Sequence, residues 1–204
     1  MGFGFLFVGY FMTFLMSNLH AGIGFAGAYL MALGLWRLKD YKRRFIYALY
    51  PLAVLMALAL KDTVTDLLSV FGETPAFFEL AAVKTAFDFL EIAAVLIFVI
   101  LLFLAIAELA ESVSLEKLRI SSLRNIYFFG AYTLFCAVRY LPLAYPREFL
   151  KYFNLVIALM QLFWIAVSMI TLFSCFRNIA DKEKLDKQIE KELKEDEKKK
   201  AGEK

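Results

Sequence analysis

The chain has 204 residues, 61% of them hydrophobic and 22 of them Phe, with a formal charge of only +3. A soluble domain carries about 45–50% apolar residues, so this excess needs lipid around it and argues against a single soluble domain. The weak net charge, and a segment from Asp181 to Lys204 in which nine Lys face nine Asp and Glu, argue against the one-signed basic arm of a nucleic-acid binder.

Apolar runs of fifteen or more without period-two alternation point to helices rather than barrel strands. The fold class expected is an all-α integral membrane protein with six transmembrane helices arranged as three helical hairpins. The apolar segments lie at 3–16, 22–36, 45–60, 88–107, 126–138 and 155–176. Several fall short of the roughly 20 residues of a perpendicular span, and flanking Tyr, Trp and Phe complete them at the interfaces. The first segment lacks the positive n-region and small-residue cleavage site of a signal peptide, so it reads as a retained span. His20, the single histidine, falls in the short turn after it and reads as a polar loop residue. Pro51 is expected near the start of the third span, where a missing N–H costs little. Pro75, Pro142 and Pro146 punctuate the connections on one side.

Those connections alternate in charge. Arg37, Lys39, Lys42, Arg43 and Arg44 follow the second segment, Lys117, Arg119 and Arg124 the fourth, and Arg177 with the Lys-rich tail the sixth. The positive-inside rule then puts both termini in the cytoplasm, which requires an even number of spans. Residues 1–180 form the transmembrane bundle and 181–204 a charged cytoplasmic tail, partly helical or disordered. In that tail Leu185, Ile189 and Leu193 continue a thin apolar stripe from Ile179 among i,i+4 Lys/Glu pairs. A faint repeat links 43–61 with 123–141, through Arg44/Arg124, Ile46/Ile126, Tyr47/Tyr127 and Ala57/Ala137. It would make spans three–four and five–six copies of one hairpin.

The candidate site begins on the fourth segment. Residues 92–107 are free of charge, and just ahead of them stand Lys84, Asp88 and Glu91. At about 100° per residue these three fall within roughly 60° of one helix face. One reading is an interfacial charge ladder, with Lys84–Asp88 as an i,i+4 pair worth about 0.2–0.5 kcal/mol. The other is a binding face turned into the bundle. There an ionised carboxylate costs at least about 2.5–3.5 kcal/mol and calls for a partner. Arg139, at the end of span five, is the expected partner. Gln161 on span six lies about two turns deeper than the interfacial Asn154 and reads equally as a substrate contact or as interhelical glue. Asp62 and Asp66, one turn apart, read either as the mouth of an external vestibule or as a solvated helix end. Asn154 lies seven residues before Gln161 on the same face.

Other motifs carry less. Gly22, Gly24 and Gly27 spell G-x-G-x-x-G but open a membrane helix instead of following a strand, so no dinucleotide site is expected. Gly24, Ala28 and Ala32 read instead as a small-residue ridge for close helix packing. Cys136 and Cys175 sit in apolar segments with no metal-ligand spacing, so neither a disulfide framework nor a metal site is expected. Ser168, Thr171 and Ser174 lack a neighbouring base, and hydroxyls in membrane helices usually bond back to their own helix. No catalytic residue, cofactor or enzymatic activity is expected.

GFLFVGYFMTF, a tight turn, then GIGFAGAYLMALGLWRLKDYKRRF resembles the opening of small multi-span membrane proteins of Gram-positive bacteria. Gly22–Gly27 stand where those proteins tend to carry an acidic–proline segment. The resemblance covers the first 45 residues and implies a bacterial plasma membrane.

Two functions stay open at this level. One is a transport or solute-binding membrane protein, with an outward-facing polar pocket for a small polar or cationic solute or a proton. The other is a non-transporting sensor, scaffold or accessory subunit that recruits a cytoplasmic protein through its tail. In both the lipid bilayer is a partner and nucleic acid is not.

Overall fold

The computed structural model describes residues 2–17, 20–71, 81–138 and 147–202, with side chains in the last stretch described as far as Ile179. All regular structure among the described residues is helical. The elements are α1 (Gly2–Phe11, continued by a π-helical turn, Met12–Met16), α2 (Ala21–Leu38), α3 (Arg44–Val70), α4 (Ala81–Ser112), α5 (Glu116–Val138) and α6 (Arg147–Gly202). Three of them, α3, α4 and α6, contain stretches long and apolar enough to cross a membrane. Pro75, Arg139, Pro142 and Pro146 lie outside the described residues.

Every helix outruns its apolar segment. α3 continues through Lys61–Val70, and α5 starts at Glu116, ten residues before its apolar part. Charged and hydroxylated residues are compatible with helix wherever their side chains find partners. Thr63 and Thr65 donate to the carbonyls of Ala59 and Lys61, and Arg119 pairs with Glu116 at 2.8 Å. Pro51 is not at the helix start as expected. It is the eighth residue of α3, so the carbonyl of Tyr47 has no i+4 N–H to accept.

Each helix packs on its chain neighbours, and α6 returns to α1, which closes a ring of six. The residue pairing makes neighbours antiparallel. Arg44 at the start of α3 reaches Glu108 near the end of α4 at 3.3 Å, and Phe129 of α5 meets Trp164 of α6 at 4.5 Å between ring centres. One end of the ring therefore carries His20, Lys61 and Lys84, and the other carries Arg44, Glu108 and Arg119. We call them the His20 end and the Arg44 end.

His20 does more than fill a turn. Its backbone is extended, and its Nδ1 accepts the N–H of Gly22 at 3.0 Å, capping α2. At the opposite end α4 closes in a Schellman motif. Ser114 N–H donates to Glu111 O at 3.1 Å and Leu115 N–H to Ala110 O at 2.8 Å. The pivot, Ser114, has φ 58°, a left-handed conformation that costs an L side chain roughly 1–2 kcal/mol. Ser114→Gly is therefore expected to raise thermal stability, by about 0.5–1 kcal/mol after the entropy cost of glycine, read from the unfolding midpoint in detergent.

Packing around the ring is unequal. α1 and α2 meet backbone to backbone through Gly2, Gly9, Gly27 and Gly34. A Cβ at Gly9 would lie 2.5 Å from Gly27 O, and one at Gly34 would lie 2.8 Å from Gly2 O. The expected ridge of Gly24, Ala28 and Ala32 belongs to the same helix, but the closest approach runs through the Gly27–Gly34 pair. Toward the Arg44 end the interior is solid, filled by Leu6, Leu35, Phe45, Leu102 and Ile106, each fully buried. Outward faces are apolar as well: Leu134, Phe163 and Ile170 are more than half exposed. An apolar exterior of this extent suits lipid rather than water. In lipid, helix association draws on van der Waals packing and interhelical hydrogen bonds, and the glycine seam serves the first.

Candidate functional site

The spacing of Lys84, Asp88 and Glu91 holds them on one face of α4, and at the His20 end that face meets the C-terminal half of α3. Between the two helices lies a cavity of about 440 Å³ lined by Lys61, Asp62 and Thr65 from α3 and by Lys84, Asp88 and Glu91 from α4. Lys61 Nζ is 2.8 Å from Asp62 Oδ1 and 4.6 Å from the centre of the Phe87 ring. The i,i+4 pair Lys84–Asp88 makes no ion pair; those among the described residues are Lys61–Asp62, Arg44–Glu108, Arg119–Glu111 and Arg119–Glu116.

Asp62 and Glu91 also line a second, larger cavity of about 540 Å³ at the centre of the ring. All six helices contribute to it. Thr13 and Phe14 come from the π-helical turn that ends α1, Gly24 and Ala28 from α2, and Leu55 and Asp62 from α3. Glu91 comes from α4, Phe129, Tyr132 and Cys136 from α5, and Gln161 and Trp164 from α6. The extra residue of a π turn widens the helix locally, which is why such turns recur at binding sites. Here it brings Thr13 Oγ1 to 3.4 Å from Gly24 O, across the α1–α2 seam. The volume suits a small organic solute.

Its walls differ in character. On the α3–α4 side stand Asp62 and Glu91, the only charged side chains among the described lining residues. On the α1, α5 and α6 side four rings join: Phe14 and Trp164 edge to face at 5.5 Å, Phe129 and Trp164 at 4.5 Å, and Tyr132 stacked on Trp164 at 6.0 Å. Behind this wall lie Tyr10 Oη, Trp164 Nε1 and Ser168 Oγ, buried and without a hydrogen-bond partner among the described residues.

Deeper still, α5 and α6 are joined by hydrogen bonds. Thr171 Oγ1 donates to Val167 O at 3.0 Å and accepts from Asn125 Nδ2 at 2.8 Å. A hydroxyl has one proton to give, so Ser121 Oγ, 3.0 Å away, is a donor to it as well. Interhelical bonds of this kind average about 0.6 kcal/mol in membranes, and they fix the α5–α6 register on which the aromatic wall depends.

No family model, curated protein or solved structure matches this chain.

The structure thus brings together Asp62, Glu91 and Gln161 in the central cavity, with Lys84 and Asp88 in the adjoining one. Asp66 is exposed, as are Asp62, Lys84 and Glu91, but it lines neither cavity. Arg139 lies outside the described residues. Among the described residues no three His, Cys, Asp or Glu side chains gather as metal ligands do. Phe14, Phe129, Tyr132 and Trp164 escape sequence reasoning, because one residue in six of this chain is aromatic, and Cys136 is legible only as a thiol in an apolar segment. A usable signal exists in the spacing: Phe129, Tyr132 and Cys136 stand at i, i+3, i+7, as do Gln161, Trp164 and Ser168.

Proposed function

We propose that this chain is a six-span protein of the plasma membrane, with both termini cytoplasmic, that binds or transports a small polar or cationic solute through a pocket opening outward. The observation that carries the reading is the central cavity, to which every helix contributes lining residues and whose lining includes the two carboxylates of Asp62 and Glu91. An ionisable group held at membrane depth is costly, and such groups mark solute or ion paths. Ring geometry adds support, because a site shared by all spans responds to any movement between them. The orientation rests on charge: Arg37, Lys39, Lys42, Arg43, Arg44, Lys117, Arg119 and Arg124 crowd the Arg44 end, which is thereby cytoplasmic. The six helices pair as three hairpins, and the reading requires no enzymatic step.

A second reading, a membrane subunit that recruits a cytoplasmic partner, draws on α6. That helix continues to Gly202, about 35 Å beyond Ile179, in a sequence of alternating Lys and Glu.

One comparison separates the two. A ligand that occupies the cavity stabilises the folded protein by mass action, about 2.7 kcal/mol at a hundredfold excess over Kd. In a thermal-shift screen of small polar solutes, the stabilisation is expected to survive removal of residues 181–204 and to be lost in Asp88→Asn/Glu91→Gln. Dependence on the tail with indifference to the acids would favour the recruiting subunit.

A further inference from the structure

We propose that the central cavity takes an organic ammonium ion, its cationic head held between Glu91 on one wall and the aromatic rings of Phe14, Phe129, Tyr132 and Trp164 on the other. The inference rests on the solute-binding reading and names the ligand class of the same site.

Three classes are disfavoured by what lines the cavity. An anion would meet Asp62 and Glu91 with no Lys, Arg or His among the described lining residues to balance them. A hard divalent cation such as Ca²⁺ or Mg²⁺ demands six or more oxygens around one point, and a softer one several His, Cys or acidic ligands. Among the described residues no three such side chains gather, and the opposite wall is aromatic. A bare proton relay has no use for about 540 Å³ shaped by six helices. An alkylated ammonium fits both walls at once. It is weakly hydrated, so it gives up water readily. Its positive surface is attracted to the negative faces of aromatic rings within about 6 Å, and its charge to a carboxylate.

The protein already performs this recognition once. Lys61 places its own ammonium between the carboxylate of Asp62, at 2.8 Å, and the ring of Phe87, at 4.6 Å, in the neighbouring cavity. With Asp62 engaged by Lys61, Glu91 is the carboxylate left to a ligand: it forms no ion pair or hydrogen bond with any described residue, while facing both cavities. Glu91 is thus the anchor and the rings set the preference for alkyl substituents.

The full chain tests this directly. Trp36 and Trp164 are its only tryptophans, and Trp36 is 58% exposed on α2 outside the cavity lining. Trp36→Phe leaves Trp164 as the sole indole, in the cavity wall. Choline and its uncharged isostere 3,3-dimethyl-1-butanol are titrated against its fluorescence. Choline is expected to saturate the signal with a Kd at least tenfold below that of the neutral alcohol. Glu91→Gln in the same background is expected to shrink that ratio below threefold. Equal binding of the two, no response to choline at tens of millimolar, or a ratio untouched by Glu91→Gln overturns the ammonium assignment. Reaction of Cys136 with the neutral reagent N-ethylmaleimide, run alongside, separates the layers. A reactive Cys136 without choline selectivity removes the ligand class and leaves a solute pocket. An inert Cys136 with no fluorescence response removes both.

Discussion

Glu91→Gln is expected to make the empty protein more stable and its ligand binding at least tenfold weaker. The two effects share one origin. Glu91 stands in a helix whose following sixteen residues carry no charge, beside Asp62 and Asp88 across a shared cavity and without an ion pair of its own among the described residues, the Lys61 ammonium acting on it only at longer range. An ionised carboxylate at the centre of a membrane helix costs about 2.5–3.5 kcal/mol on insertion scales. Glu91 sits near one end and is open to the cavity, so its cost is a fraction of that, about 1 kcal/mol. Replacing it with an amide of the same shape removes that cost and the repulsion from its acidic neighbours, and the unfolding midpoint should rise by about 2–4 °C. The same change removes the charge on which a cationic solute depends. A gain in stability together with a loss of binding is the signature of a group retained for function. A loss in both would mark Glu91 as a structural residue instead.

The second large effect belongs to the glycine seam. A Cβ at Gly27 would stand 2.5 Å from Thr13 Oγ1, 2.7 Å from Thr13 N and 2.8 Å from Gly9 O. Two of those three atoms are backbone, so the helix itself must move. Overpacking of this kind typically costs 1–3 kcal/mol, and Gly27→Ala is expected at the upper end of that range. Thr13 and its neighbour Phe14 also wall the central cavity, so displacement of α1 should weaken solute binding as well. Gly130→Ala is the matched comparison. Nothing lies within 4 Å of a Cβ at that position, so the better helix propensity of Ala should stabilise by up to about 1 kcal/mol. Melting the two variants side by side in detergent tests whether α1 and α2 meet backbone to backbone at this seam. Equal melting of the two would contradict it.

These two sites also mark what the chain discloses before it folds. Helix type and order are legible from uninterrupted apolar runs, and the clustering of Lys84, Asp88 and Glu91 follows from 3.6-residue periodicity alone. Helix ends are not legible that way. Hydropathy stops at the last apolar residue, whereas Lys61–Val70 and Glu116–Asn125 stay helical because side-chain hydrogen bonds and ion pairs stabilise them. His20 caps α2 with an imidazole nitrogen, a role more often taken by Ser, Thr, Asp or Asn. Asp62 and Asp66 look equivalent in sequence, one turn apart. Both are exposed, and only the crossing of α3 with its neighbours puts Asp62 in the lining of the cavities and leaves Asp66 out of it. The aromatic wall is hidden for a different reason. It is assembled from α1, α5 and α6, and although the i, i+3, i+7 spacing groups Phe129, Tyr132 and Cys136 on one face, it does not say that this face meets Phe14 and Trp164 from other helices.

The account turns on one proposition, that the central cavity admits solute from outside the cell. The chain has its own reporters: Cys136 in the cavity lining and Cys175, fully buried in α6, are its only cysteines. Intact cells are treated with a membrane-impermeant trimethylammonium methanethiosulfonate, and the two thiols are then assayed by mass. The account predicts modification of Cys136, slowed by an ammonium ligand, with Cys175 untouched. Modification of Cys136 only after the reagent reaches the cytoplasm, or protection of Cys136 equal to that of Cys175, would contradict it.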